Sequence, residues 1–381
     1  MTKPFRDIAK LPSNLDHRFM SQALALGRRG LGRTWPNPAV GAVIVAEAPG
    51  GPIVVGRGWT QPGGRPHAET EALRRAGAAA RGATLYVTLE PCSHHARTPP
   101  CADAVIAAGV ARVVSALEDP NPAVAGQGHA RLRQHDIVVD IGVSAEEARR
   151  AHAGHIRRIC DGRPHVTLKL AVSADGKAGL GGRRPVAITG AAATAEVHRL
   201  RGASDAIMVG IGTALADDPL LTCRLPGMQT WSPVRVILDT ALRLPATSRL
   251  AQTARQVPVW VMAAKGAARE RERALVAHGV EVIRVAEMNG GLDLVAALQA
   301  LGSRGVTRLM VEGGPILAAA LVSSDLVDDA VLFRAPQMLG SSAIDALEGL
   351  SLAALTRSPR LISRGTEEFG PDVMETFERR Q

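Results

Sequence analysis

Three short segments of the 381-residue chain, His67-Ala68-Glu69, Pro91-Cys92 and Cys101, carry residue types whose chemistry requires them to meet at one point. A catalytic zinc takes three protein ligands and keeps one position open for water, and one imidazole with two thiolates meets that count. His67, Cys92 and Cys101 are therefore the expected metal ligands. Glu69 follows the histidine by two residues, near enough to reach a metal-bound water without ligating the metal, so it is the expected proton shuttle. A lone histidine or cysteine is more commonly a packing residue, and it is the combination that argues for chemistry. The requirement constrains the fold. Leu85, Val87 and Leu89 alternate with Tyr86 and Thr88 as in a strand, whereas residues 69–76 and 102–108 read as helices. A strand end and two helix starts would then converge at one edge of a sheet.

The surrounding pattern supplies that sheet. Residues 14–30 have helical spacing through Leu15, Phe19, Ala23 and Leu26 and stop at Gly30. A strand over 39–45 follows the turn-forming Pro36-Asn37-Pro38, and further strands fall near 112–117 and 137–141. Residues 1–150 are thus expected to form one layered α/β domain. The charged, His-rich stretch 151–165, containing Asp161-Gly162-Arg163-Pro164, is expected to be a linker. A second α/β domain is expected over 166–381, with strands at 166–172, 206–209, 234–238, 259–262, 280–285 and 309–311 and helices at 191–201, 267–278 and 292–301.

A net charge of +9 invites a nucleic-acid reading, but the excess divides into +5 over residues 1–150 and +4 over the remainder, so neither half is a basic arm. Only 3% of residues are aromatic, which leaves few platforms for stacking bases. No apolar run approaches the roughly 20 residues of a membrane span, and the first residues lack the apolar block of a signal peptide. Four cysteines are too few for a disulfide framework in a chain this long and would stay free to bind metal in a reducing compartment. These features predict a cytoplasmic protein acting on a small phosphorylated substrate, with neither nucleic acid nor membrane as partner; a homo-oligomer is expected, although no feature of the sequence gives the oligomeric state.

Zinc deaminases of nucleobases combine H-x-E with P-C-x-x-C. Here the second cysteine comes later, in Pro91-Cys92-Ser93-His94-His95-Ala96-Arg97-Thr98-Pro99-Pro100-Cys101. With the upstream His67-Ala68-Glu69 and Asn37-Pro38-Ala39-Val40-Gly41, this loop resembles the bifunctional deaminase and reductase family of riboflavin biosynthesis, and the likeness covers nearly the whole chain. The resemblance implies a cytidine-deaminase-like three-layer first domain, a dihydrofolate-reductase-like second domain, one zinc per chain and NADPH. It implies zinc-dependent hydrolytic deamination of a diamino-phosphoribosylaminopyrimidinone, followed by NADPH-dependent reduction of the ribosyl group to ribityl. It also implies that Asn37 contacts the pyrimidine and that His94 and Arg97 contact the substrate and its phosphate. From the residues alone, Asn37 is equally a turn residue between prolines. Arg97 stands where the family often has Lys, which keeps the charge and adds a forked phosphate contact.

The second half has no G-x-G-x-x-G behind its first strand. Instead Val311-Glu312-Gly313-Gly314-Pro315 sets two glycines after a strand and a proline at a helix start, which would aim free amides at an anion. By resemblance, NADPH lies along Gly314, Pro315, Ile316, Leu317, Ala318, Ala319 and Ala320 and borders Ala171, Thr213, Asp217 and Thr240. Lys169 and Asp217 are implied at the hydride-transfer site, and Arg201, Leu221, Arg224 and Glu312 at the substrate. One stretch departs from the family: Pro185 and Ala187 replace a substrate-contacting serine and a cofactor-stacking tryptophan, although Thr189-Gly190 is kept. Two other readings remain open to the sequence, a zinc deaminase of nucleic-acid bases with an accessory binding domain and a zinc-stabilised oligomer without catalysis. Ammonia release from the phosphorylated pyrimidine separates the three.

Overall fold

The computed structural model describes residues 13–93, 99–184, 186–288 and 290–380. The chain falls into two compact units, one ending at Cys160 and the other beginning at Asp161. Among the described residues no helix is long and apolar enough to cross a membrane.

The first unit starts with a reciprocal capping box at α1 (Asn14–Arg28). The Ser13 hydroxyl accepts from the Asp16 amide at 3.1 Å, and the Ser13 amide donates to Asp16 Oδ2 at 3.0 Å. Asp16 also ties the helix to the sheet, because the Tyr86 hydroxyl and Arg112 Nη1 each donate to its Oδ1 at 2.8 Å. The sheet runs β2 (Ile53–Trp59), β1 (Gly41–Ala46), β3 (Thr84–Val87), β4 (Arg112–Ser115) and β5 (Val138–Ile141) in that spatial order. Strands β2 and β3 are antiparallel to β1, while β4 and β5 continue parallel to β3. Four more helices accompany this sheet: α2 (Ala68–Ala76), α3 (Cys101–Ala107), α4 (Gln127–Gln134) and α5 (Ala145–Ala151). Bare backbone sets how closely they lie. A Cβ at Gly41 would sit 1.8 Å from the Ala23 carbonyl oxygen of α1, and one at Gly58 would sit 2.1 Å from that of Ala68 in α2. Glycine also hides β2 from a reading of hydrophobic period, since Gly56, Arg57 and Gly58 break its alternation.

The expected linker, 151–165, is largely regular structure. Helix α6 (Ala153–Asp161) fills most of it and the next strand begins at His165. Its charge and histidines read as solvated chain, yet His152 is buried and its Nε2 lies 3.0 Å from Thr88 Oγ1.

The second unit is built on a nine-stranded sheet. Its strands in chain order are β6 (His165–Val172), β7 (Ala206–Gly210), β8 (Val234–Leu238), β9 (Val259–Ala264), β10 (Glu281–Val285), β11 (Arg308–Val311), β12 (Asp329–Arg334), β13 (Leu361–Phe369) and β14 (Asp372–Arg379). In space the order is β10-β9-β8-β7-β11-β6-β12-β14-β13, with the seven strands β6 to β12 parallel. Near-continuous apolar runs such as Ala206–Gly210 fit strands covered on both faces. Helices α7 (Ala191–Gly202), α8 (Ile211–Asp217), α9 (Arg249–Gln252), α10 (Arg269–Ala277), α11 (Leu294–Ser303) and α12 (Pro315–Ser323) connect them. The antiparallel hairpin β13–β14 closes one end of the sheet, and its outer strand is exposed along residues 363–368, so it offers no buried period to read.

Candidate active sites

In the first unit the ends of α2 and α3 bring the metal-type residues together. His67 is the N-cap of α2, Glu69 lies in its first turn, and Cys101 opens α3. His67 Nδ1 lies 3.3 Å from Cys101 Sγ and 3.7 Å from Cys92 Sγ, and the Cys101 amide donates to Cys92 Sγ at 3.3 Å. Zn–S and Zn–N bonds of about 2.3 and 2.0 Å at a tetrahedral angle place sulfur and nitrogen about 3.5 Å apart, so these donors fit the ion. Hydrogen bonds from Cys101 and His67 outweigh burial and bring the Cys92 thiol down to about 4. Glu69 is 3% exposed, and burial pushes its carboxyl up to about 7, with His67 opposing the rise and the Cys92 thiolate adding to it.

Asn37 stands at the rim of a turn held by Thr34, whose hydroxyl donates to the Asn37 carbonyl at 3.1 Å. Its Nδ2 donates to the Gly64 carbonyl at 3.0 Å, and a Cβ at Gly64 would sit 2.2 Å from that nitrogen. His94 and Arg97 lie outside the described residues. A second group with metal-type side chains, Glu90, Glu118 and His129, has a different occupation. Both Glu90 oxygens are taken by backbone amides, Oε2 by Asp119 and Gly126 at 3.0 and 2.9 Å, and Oε1 by Gly128 and His129 at 2.8 and 3.2 Å. Glu90 is a scaffold for the loop beside Pro91-Cys92, and only its place directly before that dipeptide could have marked it in the sequence.

In the second unit the candidate residues collect around the parallel strands. Arg201 forks onto Glu312, Nε to Oε1 at 2.6 Å and Nη2 to Oε2 at 2.9 Å, while Lys169 Nζ lies 4.0 Å from Oε2. Burial would raise the Glu312 carboxyl, but the Arg201 charge and hydrogen bonds, with Lys169, hold it below its ordinary value. Burial lowers the Lys169 ammonium, partly offset by Glu312. Burial alone raises the Asp217 carboxyl.

Gly314 caps α12 and Pro315 occupies its first turn. A Cβ at Gly314 would lie 2.9 Å from Thr213 Oγ1, so the starts of α8 and α12 adjoin. The Ala318 amide is already bonded to the Gly314 carbonyl at 3.1 Å, which leaves the amides of the first turn, before Ala318, to face an anion. Ala318 is buried and Ile316 exposed. Thr240 follows β8, and its carbonyl accepts from the Ala264 amide at 3.0 Å. Ala171 is in β6. Leu221 is buried with φ +54°, and the Arg224 amide donates to His198 Nδ1 at 3.3 Å. Pro185 lies outside the described residues, while the Ala187 and Ile188 carbonyls accept from Gln337 Nε2 at 3.1 and 2.8 Å.

Known proteins resemble both units. The family described as the cytidine and deoxycytidylate deaminase zinc-binding region matches residues 13–117, and the RibD C-terminal domain matches 164–374. The riboflavin biosynthesis protein RibD of Escherichia coli (strain K12) is 40% identical over 369 residues, covering 94% of this chain and 98% of its own. That of Aquifex aeolicus is 38% identical over 96% of this chain and 99% of its own. Among solved structures, Acinetobacter baumannii RibD superposes with a TM-score of 0.85 at 35% identity, over 96% of this chain and 99% of that one. A Thermotoga maritima diaminohydroxyphosphoribosylaminopyrimidine deaminase/5-amino-6-(5-phosphoribosylamino)uracil reductase does so with 0.81 at 32% identity and the same coverage.

Proposed function

Because this chain belongs to the bifunctional deaminase and reductase family of riboflavin biosynthesis, we propose that its two reactions are carried by the two residue sets just described. Its first domain is cytidine-deaminase-like and uses zinc; its second is dihydrofolate-reductase-like and uses NADPH. The observation that supports the deaminase assignment most is the pair of His67 distances, 3.3 and 3.7 Å, beside a buried carboxyl. His67, Cys92 and Cys101 would hold the ion, and zinc with one open position would supply a water acidic enough to act as nucleophile near neutral pH. Glu69 would take a proton from the water as its oxygen bonds to the amino-bearing carbon, and return that proton to the adjacent ring nitrogen. The same carboxylate would then take the proton of the added hydroxyl and pass it to the departing amine, so that the carbon–nitrogen bond breaks, ammonia leaves and the carbonyl of a uracil remains. Asn37, His94 and Arg97 orient the pyrimidine and its phosphate.

NADPH supplies the hydride for the second reaction. The first-turn amides of α12, next to Thr213, receive its diphosphate. Asp217, Thr240 and Ala171 border the cofactor, and Arg201, Leu221, Arg224 and Glu312 border the substrate. Lys169 gives a proton to the nitrogen of the ring-opened ribosyl imine as C1′ gains the hydride, which balances the reduction to ribityl. The chain is further proposed to work in the cytoplasm as a homo-oligomer. One experiment tests the core of the reading: purified protein is given the phosphorylated diaminopyrimidine with NADPH, and ammonia and NADPH are followed together. Ammonia release followed by NADPH oxidation is expected. Deamination of bases in a polynucleotide instead, or neither reaction in zinc-replete protein, overturns it.

A further inference from the structure

Strand β8 contains one charged residue in an apolar run, Val234-Arg235-Val236-Ile237-Leu238, and that side chain is wholly enclosed, 0% exposed. Its hydrogen-bond partners are neutral. Nη1 donates to the Leu220 carbonyl at 3.2 Å and to Thr253 Oγ1 at 2.8 Å, while Nη2 donates to the Thr253 carbonyl at 3.0 Å and to the Val257 carbonyl. Burial without a carboxylate brings the guanidinium down to about 10, so it stays charged near neutral pH. An enclosed charge carries a large desolvation penalty, and an apolar side chain of similar volume is commonly as stabilising or more so. Its retention points to what it holds rather than to stability.

What it holds is the loop leaving α8. Asp218 has φ +38° and Leu221 φ +54°, two non-glycine residues in the left-handed region, on either side of the carbonyl that Arg235 grips. The rest of the loop is pinned from other directions. Asp218 Oδ1 accepts from the Arg249 amide at 2.8 Å, the Thr222 carbonyl accepts from Arg201 Nη1 at 3.1 Å, and Cys223 Sγ donates to the His198 carbonyl at 3.2 Å. Between the two left-handed residues, Arg235 holds the Leu220 carbonyl. Its planar fork reaches the loop and residues 253–257 together, which the single ammonium of lysine cannot reproduce.

We propose that Arg235 is a positioning residue for the reductase: through the Leu220 carbonyl it sets the left-handed backbone at Leu221, whose side chain is packed in the core, and so the course of the 221–224 backbone presented to the pyrimidine. The proposal rests on the reading above that Leu221 and Arg224 border the reductase substrate. Its test uses the full chain with already deaminated pyrimidine and NADPH, with ammonia release on the same preparation as an internal control. In Arg235→Lys the KM for the pyrimidine is expected to rise about tenfold, while the NADPH KM and ammonia release stay within about twofold. An unchanged pyrimidine KM in folded Arg235→Lys overturns the proposal, as does a parallel loss of ammonia release, which would mean general loosening. If Arg235→Lys does not fold, Thr253→Val removes one acceptor and leaves the arginine in place. A smaller rise in the same KM supports the proposal there, and no rise overturns it. Failure of the unmodified chain to reduce the deaminated pyrimidine would overturn the underlying reading and this proposal with it, whereas an unchanged KM in the variants overturns this proposal alone.

Discussion

The zinc cluster and the cofactor edge are built from opposite materials. Between residues 67 and 101 the first unit supplies an imidazole, two thiols and a carboxyl: His67 and Glu69 at the start of α2, which lies on Gly56 and Gly58 of β2, Cys101 at the start of α3, and Cys92 in the loop before it. The proposed site of the second unit runs from Lys169 to the first turn of α12, and much of what those segments offer is backbone: first-turn amides and a carbonyl-anchored loop. A metal demands particular side chains at fixed distances, so substitution there is all or nothing. Amides are available from any residue except proline, so in the proposed second site a change that moves backbone or fills space beside those amides is expected to cost more than a change of side chain there.

The comparison breaks most easily at the metal. Cys92→Ser combined with Cys101→Ser should take zinc from one per chain to near zero and abolish ammonia release, as measured by metal analysis beside the deamination assay. Zinc retained in that variant would mean the ligands lie elsewhere. Glu69→Gln comes next, with zinc kept and ammonia release reduced about 10² to 10⁴-fold, the usual worth of a general acid-base group. The same variant, given deaminated pyrimidine, should oxidise NADPH at close to the normal rate. If it does not, the two sites are coupled and the contrast drawn between them fails.

At the cofactor edge a smaller effect is expected. Gly314→Val drives a branched side chain toward Thr213 Oγ1, 2.9 Å from the first added carbon, and should raise the NADPH KM about tenfold while ammonia release persists. An unchanged NADPH KM in steady-state assays would remove the diphosphate from the start of α12. The mildest effect concerns stability alone. Burial would raise the Asp16 carboxyl, but Arg112, Ser13 and Tyr86 together hold it far below its ordinary value. Its stabilisation is therefore complete above the unfolded carboxylate pKa of about 3.9 and is lost as pH falls further toward the folded value. Asp16→Asn should cost about 1 to 3 kcal/mol at neutral pH and less in acid, read as thermal midpoints by circular dichroism. A stability loss equal at every pH would show that charge is not what Asp16 contributes.

Whereas the family, the reduction and NADPH came through its resemblance to known sequences, the sequence read from its residues made the zinc chemistry legible, because metal ligation and general acid-base work admit few residue types. His67, Glu69, Cys92 and Cys101 are legible for that reason. The periodic helices and apolar parallel strands are legible too, since burial on one face or on both leaves a period in the chain. Other features belong to tertiary structure. Strand β2 exists because Gly56 and Gly58 admit α2, not because its residues alternate. Glu90 gathers four amides from a loop far along the chain, and Arg235 looks like a misplaced charge until Leu220, Thr253 and Val257 close around it. Backbone donors and acceptors are the same at every residue, so which of them converge is decided only when distant segments pack.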